Sequence, residues 1–156
     1  MGRRTGAVLV SLLLLLTLAV SASAAAVKMT VGVRFWRESG DKESMADSAV
    51  DTTREATLTR QPNGTFTLEL PVKQLSSMNM TGSLTGIAIG EVNYDGTLSG
   101  DLSDGTAVLT LKNLPASVLT GSDPSKALAV TCSIKMDTIL LGDIATSAKM
   151  SVWVER

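Results

Sequence analysis

Histidine is absent from the 156 residues and cysteine occurs once, at Cys132. Those two counts remove the Ser-His-Asp and Cys-His nucleophilic systems, histidine-containing zinc sites and histidine-ligated iron. What remains able to do chemistry is a hydroxyl beside a thioether at Ser44-Met45, the thioethers of Met136 and Met150, and the pair Lys149 and Trp153, four apart in an alternating segment. A thioether is soft and polarisable, packs on flat π-systems and can ligate iron. An indole face can stack on a flat ligand. These residue types suit holding a ligand better than making bonds, and no pair of carboxylates falls on one strand face to suggest hydrolysis. The expectation is a protein that is not an enzyme.

Each residue also has a plainer role. Ser44 can cap a short helix while Met45 plugs one end of a core. Met150 follows the alternation of Val152 and Val154, and Met136 that of Cys132 and Ile134, so both read as core. Met78 and Met80 share a face as gap-filling residues. Trp153, near the end of the sequence, can pack under a loop. Cys132 alternates with Val130 and Ile134, as a buried and inert thiol does. Asp95, Asp101, Asp104 and Asp123 lie on Gly- and Ser-rich connections without the ordered spacing of a calcium loop, and read as turn residues.

The elements that must position these groups alternate with period two almost throughout, which indicates strands. Val27, Met29, Val31, Val33 and Phe35 fall on one face of a first strand that breaks at Ser39-Gly40; one turn of helix then presents Ser44 and Met45. The second strand pattern opens near Thr53. Gln61-Pro62-Asn63-Gly64 predicts a hairpin with positive φ at both Asn63 and Gly64. Phe66, Leu68 and Leu70 line the returning strand, which Pro71 should end. Further strands are predicted over Thr81–Tyr94, Ala107–Leu111, Leu128–Met136 and Ala148–Glu155, the last two joined by a connection from Asp137 to Thr146. About seven or eight short strands without helical crossovers indicate an all-β, antiparallel, immunoglobulin-like β-sandwich.

Arg3-Arg4, an apolar run from Ala7 to Val20 and the small residues Ser21 to Ala25 read as a secretory signal peptide over residues 1–25. The run is short of the roughly 20 apolar residues that span a bilayer. That segment holds two of the 14 basic residues and none of the 15 acidic ones, so residues 26–156, one domain, carry a net charge of −3. A mildly acidic domain has no electrostatic footprint for nucleic acid. A secreted domain with a single cysteine must be held by its core, which points to a bacterial exterior more than to an animal one.

Several of these stretches together resemble a known family. A strand, a polar turn with Asp41-Lys42, then Ser44-Met45, is similar to the opening of a NEAT (near iron transporter) domain, the haem-binding β-sandwich of Gram-positive iron-uptake surface proteins. The likeness continues through Glu55-Ala56-Thr57-Leu58, Asn63 to Leu68, and Leu75 to Leu84, the last resembling clostridial members. The resemblance implies that the Ser44-Met45 helix forms a lip over haem, with Ser44 donating a hydrogen bond to a propionate and Met45 lying on the porphyrin. Lys149 and Trp153 would then face the pocket from the last strand. The family's iron-binding tyrosine, expected in the last strand, is missing: that strand reads Ala148-Lys149-Met150-Ser151-Val152-Trp153, and Tyr94 is far away. Met136 or Met150 would have to ligate the iron instead. The implied function is non-catalytic haem binding and relay to another haem-carrying protein at a bacterial surface or wall. The alternative is a haem-free sandwich that binds an extracellular protein.

Overall fold

The computed structural model describes residues 25–156 except Met78 and residues 139–141. The expected signal segment, apart from Ala25, and the expected packing of Met78 therefore lie outside the described residues. Ten strands form one antiparallel sheet: β1 (Val27–Trp36), β2 (Ala56–Arg60), β3 (Phe66–Pro71), β4 (Leu75–Ser77), β5 (Met80–Ile89), β6 (Val92–Asp95), β7 (Thr97–Ser99), β8 (Val108–Leu114), β9 (Leu128–Met136) and β10 (Asp143–Val154). Their order is β4-β5-β9-β10-β1-β2-β3-β8-β7, with β6 also on β5. Three short 3₁₀ helices interrupt it: η1 (Met45–Ala49), η2 (Ala116–Val118) and η3 (Pro124–Lys126).

The path closes into a sandwich because β1 serves both layers. Its first half, Val27 to Val31, pairs with β2, and its second half, Val31 to Trp36, pairs with β10. Gly32 marks the changeover. The alternation read from the sequence then fills the space between the layers. Val31, Val33 and Phe35 face Leu58, Leu68, Leu70, Leu109 and Leu111, with Val130, Cys132, Ile134, Ala148, Met150 and Val152 completing one cluster. Each fully buried large aliphatic or aromatic side chain contributes about 1.5–3 kcal/mol. Burial also pushes the Cys132 thiol up to about 12, so it stays protonated and unreactive.

The structure differs from the sequence reading in three places. More strands form than expected because β4, β6 and β7 are only three or four residues long and carry too little alternation to be seen. The last strand starts at Asp143 rather than Ala148, since Asp143 to Ser147 pair with β9 although polar residues dominate there. At the β2–β3 hairpin only Gly64 has positive φ, at 85°. Asn63 instead turns its carboxamide oxygen onto the Thr65 N–H (3.0 Å) and hydroxyl (2.7 Å), closing a longer loop between Gln61 and Thr65.

Candidate functional site

The chain leaves β1 through a tight polar turn and doubles back beside it. Glu43 bridges Trp36, and the Ser44 N–H donates to the Phe35 carbonyl at 2.9 Å. That register sets Ser44 next to Phe35, on the inner side of the sheet. Asp47 then accepts the Phe35 N–H at 2.9 Å and faces Arg34 Nη1 at 3.4 Å, while Arg34 also pairs with Glu43. Burial raises the Asp47 carboxyl above the usual carboxylate range, opposed by the Phe35 N–H and the Arg34 charge. Anchored in this way, η1 packs against β1, β4 and β5. The first residues of β5 pair with the end of β9, so η1 and the β9–β10 hairpin sit at the same end of the sandwich.

The Ser44 hydroxyl occupies the N-cap position of η1 but caps nothing. Ser44 is 8 % exposed, and its Oγ has no hydrogen-bond partner among the described residues. The same is true of one other buried side-chain atom, Thr138 Oγ1, which lies in the β9–β10 hairpin. A buried hydroxyl without a partner costs about 1–3 kcal/mol, and these two leave that cost unrelieved among the described residues. Met45, Met80 and Ile144 pack half-buried against the core and supply apolar surface. Sequence reading missed Thr138, whose neighbours carry no pattern, and Asp47, which looked like an ordinary polar helix residue.

The six residues singled out from the sequence divide into three groups. Ser44, Met45 and Met136 belong to the η1 end. Met136 is 6 % exposed, and its sulfur lies over Gly82, where a Cβ would come within 2.9 Å of Sδ. Met150 has no exposed surface and pairs with Phe35 in the middle of the core. Lys149 and Trp153 point outward from β10, beside Trp36 and Gly32 of β1, so they stand on the other face of the sheet from Ser44. Tyr94 lies on β6, opposite Ile87 of β5.

Among the described residues no three His, Cys, Asp or Glu side chains converge as a metal site. The turn aspartates are spent on their own loops: Asp101 accepts from Ser103, Asp104 from Thr106 and Asp123 from Ser125. No described helix is long and apolar enough to cross a membrane.

No protein family and no curated protein matches this sequence. Among solved structures, the fold is similar to a mutant of the IsdX2 NEAT5 domain in complex with haem, with a TM-score of 0.54 and 9 % identity over 85 % of this chain and 99 % of that one. At that identity the likeness speaks for the fold: this chain is a NEAT-like β-sandwich.

Proposed function

We propose that residues 26–156 form a secreted, non-catalytic module that binds haem or a related flat porphyrin and passes it to another carrier. The carrying observation is the pair of orphaned hydroxyls, Ser44 Oγ and Thr138 Oγ1, on the two elements that flank one end of the sandwich. The haem bound by the structurally similar NEAT5 domain supports the same reading. A porphyrin has a broad apolar face and two carboxylates at one edge. Met45, Met80 and Ile144 would cover the face, and the hydroxyls would donate to the carboxylates. In this reading residues 1–25 direct export.

Iron ligation is the weak point of the fit, and it falls to Met136. Its thioether would have to leave its seat on Gly82 to reach the metal. Met150 is too deeply enclosed to do so without opening the core. The missing tyrosine favours a second reading, in which the same end grips a protein segment and no haem.

A haemin titration of residues 26–156, followed in the Soret and visible bands, separates the two. A saturable one-to-one shift supports haem binding, and the visible bands distinguish sulfur from oxygen ligation. A titration that matches a control protein rejects haem and leaves the interaction module.

A further inference from the structure

A cavity of about 240 Å³ opens where β1 parts from β2 and joins β10. The last β1–β2 pair is Val31 with Ala56, and Glu55 immediately precedes it. On the other flank Trp153 pairs with Gly32, and the ladder runs further: the Glu155 N–H donates to the Thr30 carbonyl at 3.0 Å. Side chains alternate across a strand, so Trp153 and Glu155 share one face of the sheet. Glu55, next to the inward-facing Ala56, reaches that same face from the β2 side. All three line the cavity.

Gly32 lets the Trp153 indole lie across the β1 backbone, for a Cβ there would be 2.2 Å from Cε2. Below the ring, Val33, Val50 and Leu70 give the cavity an apolar floor. Its charges are unevenly matched. Arg34 pairs with Glu43 and Asp47. Arg54 pairs with Asp51 and donates to the carbonyls of Val72 and Ala107. Glu55 and Glu155 are exposed and form no ion pair among the described residues. The cavity thus presents an indole wall, an apolar floor and two uncompensated carboxylates at its mouth, while both of its arginines are already taken.

We infer that this notch binds a primary alkylammonium ion. The charged head donates N–H bonds to Glu55 and Glu155 beside the Trp153 ring, whose π-system attracts a cation. The methylene stem runs down onto Val33, Val50 and Leu70. A quaternary ammonium fits less well, because it has no N–H for the carboxylates and finds one ring where such heads take an aromatic cage. The cavity is smaller than the roughly 300–1,000 Å³ of drug-sized sites, so it suits one short stem. A free amine and a lysine side chain offer the same head and stem. The notch shares no residue with the Ser44–Thr138 end, and the inference does not depend on haem binding.

The test is an amide-resolved NMR titration of residues 26–156 with n-butylammonium, Nα-acetyl-lysine methylamide and the uncharged 1-butanol. The expected result is a saturable shift of the Trp153 indole and Gly32 amide signals with both cations, the tighter binder naming the source. The alcohol should bind at least about tenfold more weakly, and added salt should weaken the cations, since exposed carboxylates are screened. Stationary Trp153 and Gly32 signals, or equal binding of the alcohol, would overturn the inference. Glu55→Gln combined with Glu155→Gln should leave the fold intact and cost about tenfold in affinity. Undiminished binding by that variant would equally overturn it. The comparison of amine with alcohol on the wild-type protein decides the question even if the variant does not fold.

Discussion

The Asp47 carboxylate accepts the Phe35 N–H at 2.9 Å, and together with its pairing to Arg34 this bond fastens η1 to the edge of β1 that β2 leaves bare. Asp47→Ala would strand a backbone donor and take away one of the two partners of Arg34. The expected cost is about 1–3 kcal/mol of stability, with haemin affinity falling because the lip loses its anchor. Denaturant unfolding and the Soret titration check both. An unchanged unfolding midpoint would show that water replaces the carboxylate.

Ser44→Ala should separate stability from binding. The hydroxyl has no partner to lose, so the melting temperature of the ligand-free protein should hold or rise. Haemin affinity should fall by roughly 10-fold or more, as a hydrogen bond to a charged group is worth about 1.5–3 kcal/mol. A fall in melting temperature would mean that Ser44 is structural.

Met45 and Met150 provide a matched pair. Met150→Ala empties a fully enclosed position and should cost about 2–5 kcal/mol. Met45 is only half-buried, so Met45→Ala should cost clearly less while weakening haemin binding. Equal losses of stability in calorimetry would assign Met45 to the core.

Gly32→Ala should cost about 1–3 kcal/mol, because the added Cβ would lie 2.2 Å from the Trp153 ring and push the indole off β1. The displacement should also change tryptophan fluorescence. An unaltered emission spectrum would show that the indole seat is loose.

Asp51 gives a pH dependence of defined sign. The Thr53 hydroxyl and then the Arg54 side chain hold its carboxyl at about 2, against an ordinary value of 3.8. A depressed acid stabilises the fold above the unfolded value, and that contribution disappears as pH falls through the folded one. The stability gap between wild type and Asp51→Asn should therefore be full near pH 5 and close between about pH 4 and 2. A gap unchanged across that range would mean that the Thr53 and Arg54 bonds do not act on the charge.

Alternation alone determined the sandwich. Val31, Val33 and Phe35, or Val130, Cys132 and Ile134, can be buried together only if each segment is extended, because side chains two apart share a face. The same rule placed Met150 inside and Lys149 with Trp153 outside, while Gly- and Ser-rich surroundings made the turn roles of Asp101, Asp104 and Asp123 legible, though not the place of Asp95 at the end of β6. The NEAT-like architecture was likewise legible, through the stretch around Ser44-Met45. Short strands such as β4 and β7 were not, since three residues hold no period. Nor could one dimension reveal that Ser44 and Lys149 stand on opposite faces of one sheet, or that Ser44 and Thr138 are left unpaired at the same end. Those relations arise where segments far apart in the chain meet, and hydrogen-bond satisfaction is settled only by that meeting.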